Sequence, residues 1–205
     1  MMIKSQSVSR RVKMTKQMLK TALIELMETK PLSALTVTDL CSLADVNRST
    51  FYSYYNDIYG LLNEIEEDMI NQVPVGAVSN QPVGLNDRLI DDFTAFFGYV
   101  RHHAREFNIL LQGGNHSFKE RLMDNVMQHF RDNLKHSENP LLTRWVYIYA
   151  MNGVIGLVRD WMDRDFPVSD REFARIILQM SFRASEQKNT QASATRLSAI
   201  EKGEV

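Results

Sequence analysis

The stretch Thr36 to Asp57, TVTDLCSLADVNRSTFYSYYND, constrains this chain more than any other. In that short span it spells two helices and a tight turn. Thr36 with Asp39 three residues on is a capping pattern. The hydroxyl takes a backbone N–H that the helix start leaves unpaired, and the carboxylate reaches back. Val37, Leu40, Cys41 and Ala44 recur at helical spacing and form one apolar face. Asp45-Val46-Asn47 breaks this helix, and the Asn47 side chain is a good cap for the next. Phe51 and Tyr55, four apart, anchor the second helix inward. Arg48, Ser49, Thr50, Tyr52 and Tyr54 are left facing outward. A short helix that shows water an Arg, two hydroxyls and two aromatics suits a groove of duplex DNA.

The order of these parts resembles the helix-turn-helix of the TetR/AcrR family of transcriptional regulators. Leu35-Thr36-Val37 opening the first helix, the run Ala44 to Tyr52, the aromatic Tyr55 and Leu61 carry the resemblance. It is specific over residues 10–65 and covers the rest as a compatible helical pattern. It implies an all-α fold of about nine helices, with a three-helix DNA-binding head and a helical body that dimerises and holds an effector. The head with its linking fourth helix would span 1–72 and the body 73–205, with a frayed tail from 186. It further implies a homodimer on a palindromic operator, repression as the default, and release by a small molecule. The fourth helix would be the transmission element, its tilt setting the spacing of the two heads. The family usually carries a Lys at the position of Ile58, where it reaches a DNA phosphate, and Ile58 cannot do that. Tyr54 stands where a His is more common, and a phenol still donates to phosphate.

Charge points the same way. The chain has 205 residues and a net charge of −1. Yet residues 1–20 carry Lys4, Arg10, Arg11, Lys13, Lys16 and Lys20 and no acid, whereas from residue 59 onward 16 basic residues stand against 20 acidic. A basic front on an acidic body suggests that the front alone meets a polyanion, the bland alternative being a solvated helix face. Residues 1–9 read as loose and the first helix as 10–29, stopped by Pro31. Leu19, Ala22, Leu23, Leu26 and Met27 form its core stripe. Lys13, Lys16 and Lys20 are placed to lean on phosphates, and Arg10 and Arg11 to enter a minor groove as an arm. Arg48 is the best candidate for a base contact, because its fork fits guanine O6 and N7. Its alternatives are a phosphate contact or an ion pair with Asp45. Thr36, Asn47, Ser49, Thr50, Tyr52 and Tyr54 complete the expected DNA-binding set.

After a linker at residues 73–84 the pattern turns helical again. Leu89, Phe93, Phe96, Phe97 and Val100 form an aromatic stripe. It is either plain core or, with Trp145 and Tyr149, the wall of a ligand cavity. Gly113-Gly114-Asn115 reads as a break, and Phe118, Leu122, Val126, Phe130 and Leu134 as a further helix. Pro140 opens the longest helix, residues 141–163, which is apolar nearly all round and so must be covered on two sides. Ser169 with Glu172 caps a last helix carrying Phe173, Ile176, Ile177 and Met180. These two helices are expected to pair with their copies as a four-helix bundle, through Tyr149, Gly153, Gly156, Trp161, Phe173 and Ile177.

Other chemistries find little support. Cys41 stands alone and reads as a small buried hydrophobe. The most apolar run, residues 145–158, is too short to span a bilayer and contains Asn152, so the expected location is the cytoplasm. His102, His103 and Glu106, with Asp91 and Asp92 about three turns earlier, come nearest to a metal site but lack a matching pair from another helix. No phosphate-cradling glycine loop, zinc spacing or nucleophile elbow is present, so neither cofactor nor catalysis is expected. Two rival readings remain. One is a regulator whose body binds a protein and no ligand; the other is a metal-dependent enzyme on a helical bundle.

Overall fold

The computed structural model describes residues 2–74, 87–112, 116–128 and 140–180. The expected linker, the Gly113-Gly114-Asn115 break, Phe130, Leu134 and the tail from 186 lie wholly or mostly outside them. The described residues are helical and irregular, with no strand among them. Helices α1 (Met2–Thr29), α2 (Val37–Leu43), α3 (Arg48–Tyr52) and α4 (Ile58–Gln72) come first, with a 3-10 turn at Leu32–Ala34. Then follow α5 (Asp87–His102), α6 (Ala104–Gln112), α7 (His116–Gln128), a long helix (Pro140–Asp163) and a last helix over 170–180. By contacts the chain forms two compact units. One is Met1–Val73 with Arg105–Leu122; the other is Pro74–Ala104 with Met123–Val205.

The first unit is built on α1. Leu19 and Leu23 have no exposed surface, Leu40, Phe51, Leu61 and Leu62 are buried too, and α1 contacts both α2 and α4. Helix α1 begins at Met2 rather than at Arg10. Residues 1–9 contain neither Pro nor Gly, so nothing in them interrupts a helix once α1 has nucleated. Pro31 ends it as expected and opens the 3-10 turn.

The charged faces of this unit differ from the sequence reading. Lys16 and Lys20 do not stand free for phosphates: both bond the Glu64 carboxylate, at 2.8 and 2.7 Å, and Lys20 also bonds Asp68. They fasten α1 to α4. The carboxylates of α4 serve two different neighbours. Glu66 is buried, and Arg121 of α7 reaches Asn63, Glu66 and Glu67 on a different face of α4 from the lysines' partners. Arg105 of α6 grips Glu28 of α1 with two parallel hydrogen bonds, and Phe107 and Phe118 close the space between α6 and α7. Residues 105–122, which the sequence reading grouped with the body, thus pack on the head because both of their arginines find acids there.

The second unit has an aromatic centre. Phe97 is fully buried, 4.8 Å from the Phe173 ring and 6.0 Å from Trp161. Trp161 and Phe173 stack at 4.4 Å with their planes 4° apart. The long helix ends in a Schellman turn. Phe166 N–H bonds Trp161 C=O at 2.8 Å, Asp165 N–H bonds Met162 C=O, and the Phe166 ring covers Trp161. Ser169 caps the last helix by accepting the Glu172 N–H. No described helix is long and apolar enough to cross a membrane.

Candidate nucleic-acid interface

Local chemistry fixes the helix-turn-helix. At the start of α2 the Thr36 hydroxyl accepts the Asp39 N–H at 3.1 Å, and the Asp39 carboxylate accepts both the Thr36 N–H and its hydroxyl. These bonds hold the Asp39 carboxyl below its ordinary range. Helix α2 ends on Asp45, which adopts a left-handed backbone with φ of 50°, and Val46 N–H closes the turn on Cys41 C=O. The Asn47 side chain then accepts from the Ser49 N–H and from its hydroxyl, both at 2.9 Å, and α3 begins. Phe51 and Tyr55 anchor α3 from below, both buried, with ring centres 5.6 Å apart. Under α2 the Cys41 thiol is buried, and burial pushes its pKa up.

This leaves one outward edge. Arg48, Ser49 and Tyr52 are exposed on α3, Tyr52 at 57%. Thr36 and Asn47 are exposed too, but their capping groups are engaged within the turn. Thr50 and Tyr54 are half-buried, so they face outward less than the sequence reading has them. Tyr54 lies against α1, where the Lys16 ammonium is 6.0 Å from its ring and 5.1 Å from that of Tyr55. The Arg48 guanidinium does not pair with Asp45: it donates to the Thr38 hydroxyl of α2 at 3.5 Å. Thr38 was missed by the sequence reading, although its place opposite Leu40 and Cys41 on α2 puts it on the outer face. Arg10, Arg11 and Lys13 are exposed as well, but on the helix α1 rather than on an extended arm. Ile58 is a core residue at the head of α4, and the exposed side chain beside it is Tyr59. The first turn of α4 is capped instead by Asp57, whose carboxylate accepts the Gly60 N–H at 2.8 Å.

The other candidate residues fall differently from the sequence reading. Trp145 and Tyr149 are exposed, so they do not form a cavity wall with Phe93 and Phe97. Phe97 lies in the aromatic centre, with Phe93 at 6.1 Å. Of the expected dimer residues, Trp161, Phe173 and Ile177 are buried inside the protomer, and Tyr149, Gly153 and Gly156 are exposed. Periodicity marked all six as apolar helix, and the stacking of Trp161 on Phe173 is what draws half of them inward. Among the described residues no three His, Cys, Asp or Glu side chains are grouped to hold a metal ion, and His103 instead packs on Tyr99 at 4.5 Å.

Comparison with known proteins agrees with this geometry. A TetR-type family described as a transcriptional regulator C-terminal region matches residues 87–183. No curated protein matches the chain. Among solved structures, a TetR transcriptional regulator from Streptococcus agalactiae 2603V is similar at 19% identity and a TM-score of 0.65, over 86% of this chain and 98% of that one. A tetR-family regulator from Streptomyces coelicolor is similar at 13% identity and a TM-score of 0.63, over 90% and 91%. The dihydroxyacetone kinase operon activator DhaS is similar at 17% identity and a TM-score of 0.51, over 82% and 94%. At these identities the structures share a fold. Residues 87–183 thus match a TetR-type transcriptional regulator C-terminal region, and the chain shares the fold of solved TetR-family regulators.

Proposed function

We propose that the protein binds a palindromic DNA operator as a homodimer and so controls transcription, with repression as the default sense. The carrying observation is the outward edge of α3. Arg48, Ser49 and Tyr52 project from a helix whose other face is locked by Phe51 and Tyr55. Arg48 reads a guanine, while Ser49, Thr50, Tyr52 and Tyr54, with the caps Thr36 and Asn47, set register on the backbone. Arg10, Arg11 and Lys13 add phosphate contacts from α1. Residues 1–72 form the reading part, with 105–122 packed on it, and the rest of 73–205 forms the dimerising part. One such short helix binds weakly, and two linked heads gain through effective concentration. The role places the protein in the cytoplasm, beside its DNA.

The dimer is formed by the long helix, whose exposed apolar side includes Tyr149, Gly153 and Gly156. In the family manner, an effector in the body would change the spacing of the heads, which requires unequal affinity for two states. A second reading has one observation in its favour. With Trp145 and Tyr149 on the surface and Phe97 packed among rings, the expected cavity wall is dispersed. That favours a body answering to a protein partner over one holding a small molecule at those residues.

Selection of bound fragments from a random duplex pool tests the main reading. It should return an inverted repeat with half-sites about one or more helical turns apart, 10–10.5 base pairs each. A pool that stays random under low salt would remove DNA reading from the account.

A further inference from the structure

Among the described residues the Arg48 guanidinium is engaged by a hydroxyl and by no carboxylate. Its Nη1 donates to Thr38 Oγ1 at 3.5 Å. The acids near it are spent elsewhere: the Asp39 carboxylate accepts the Thr36 N–H and hydroxyl, and that of Asp57 accepts the Gly60 N–H. Thr38 is the second residue of α2, whose start is pinned by the Thr36–Asp39 capping box. Arg48 is the first residue of α3, pinned by the Asn47 cap, and the two helices touch. Two fixed backbones thus bring a stiff, β-branched hydroxyl and a long arginine to one exposed edge. The guanidinium lies over α2: burial pushes the Cys41 thiol pKa up, and the Arg48 charge opposes that rise.

We propose that Thr38 is a positioning residue for Arg48: it tethers Nη1 and so aims the Nε–Nη2 edge of the guanidinium at the guanine. The proposal rests on Arg48 as the base-reading residue and adds what orients its fork. A guanidinium carries several N–H donors, and a hydroxyl oxygen occupies one of them. Nη1 stands on the Cδ side of the group. Tethering it leaves Nε–H and Nη2–H, parallel along the other edge, for guanine O6 and N7. A carboxylate in the place of Thr38 would take two parallel bonds and compete with the base for the same fork. A neutral hydroxyl directs the arginine and leaves its charge for DNA. At 3.5 Å the contact is long, so Thr38 steers the side chain rather than locking it. Fewer rotamers are then given up on docking, and the fork is less free to swing to a phosphate when the wrong base is met.

Full-length variants test it on the duplex recovered from the random pool, varied one base pair at a time. Thr38→Val keeps the shape of the side chain and removes the acceptor; Thr38→Ser keeps the hydroxyl. Position 38 is exposed, and thermal melts check that each variant folds. Thr38→Val should lower the preference for the guanine read by Arg48 by about three- to tenfold, at that base pair alone. Thr38→Ser should keep most of the preference, and Thr38→Val should change nothing further in the Arg48→Ala background. A purely structural role for Thr38 would lower affinity and leave the preference intact. An even loss across the library overturns the positioning and makes Thr38 a phosphate contact. Relaxation at a different base pair overturns it too, making Thr38 a reader in its own right, and so does a parent-like profile. The Arg48→Ala arm separates the two failures. An unchanged profile there removes base reading by Arg48 and the positioning with it. A relaxed profile there, with a parent-like one in Thr38→Val, removes the positioning alone.

Discussion

Arg121 sets its guanidinium 3.2 Å from the carboxylate of Glu66, a residue only 1% exposed. The same guanidinium bonds Asn63 at 2.8 Å and approaches Glu67 at 3.3 Å, so one side chain of α7 holds three positions along α4. Removing one partner of a buried pair leaves the other charge stranded away from water, typically at about 3–5 kcal/mol. Arg121 is itself a third exposed and Glu66 has further interactions, so Arg121→Ala should cost somewhat less, about 2–4 kcal/mol. Arg121→Ala with Glu66→Leu should recover most of that loss in urea denaturation. A double variant no more stable than Arg121→Ala would show that the pair is not the cause.

Glu64 makes the head sensitive to acid. Burial pushes its carboxyl up, but hydrogen bonds and charge from Lys16 and Lys20 outweigh this and hold it at about 2. The folded value lies below the ordinary 4.5, so the stabilisation is present above pH 4.5 and drains away as pH falls toward 2. Lys20 shifts the other way. Burial opposes its charge, yet bonds to Asp68 and Glu64 raise it above 10.5, so its share is lost only in strong alkali. Glu64→Gln should therefore flatten the fall in urea midpoint between pH 4.5 and 2 relative to the parent. Parallel curves would exclude Glu64 as the titrating group.

The turn between α2 and α3 depends on Asp45. Its φ of 50° is costly for most side chains and tolerated by Asp. Asp45→Val should destabilise by about 1–2 kcal/mol, because a β-branched residue fits the left-handed region poorly. Asp45→Gly should fold at least as well as the parent. Equal midpoints for Val and Gly variants would mean that the turn is not held in this conformation.

Much of the head was legible because its signals are local. The Thr36 and Asn47 caps, the Phe51–Tyr55 anchor and the stop at Pro31 each involve residues a few positions apart. Pairings of residues far apart in sequence were not legible. Lys16 and Lys20 looked free because their acids lie some 48 residues on, and Arg121 meets α4 only through the packing of α7. Periodicity also cannot tell which side of an all-apolar helix is inside. Trp161 and Tyr149 carried the same signal, yet Trp161 stacks on Phe173 and is buried, while Tyr149 is exposed. Thr38 went unnoticed because a lone hydroxyl on an outer face gains meaning only once Arg48 is seen beside it.

Phosphate contacts and base contacts should separate cleanly. Lys13→Ala should weaken binding about evenly across sequences and lower the slope of log affinity against log salt by about 1. A loss confined to one base pair would reassign Lys13 to the groove.

The central claim is that Arg48 reads sequence from α3. The direct measurement is the affinity of parent and Arg48→Ala for a library in which each base pair of the selected operator is varied in turn. The account predicts a loss of about 1–3 kcal/mol on the best site and relaxed preference at one symmetry-related guanine in each half-site. Unchanged affinity and an unchanged preference profile in the variant would contradict it.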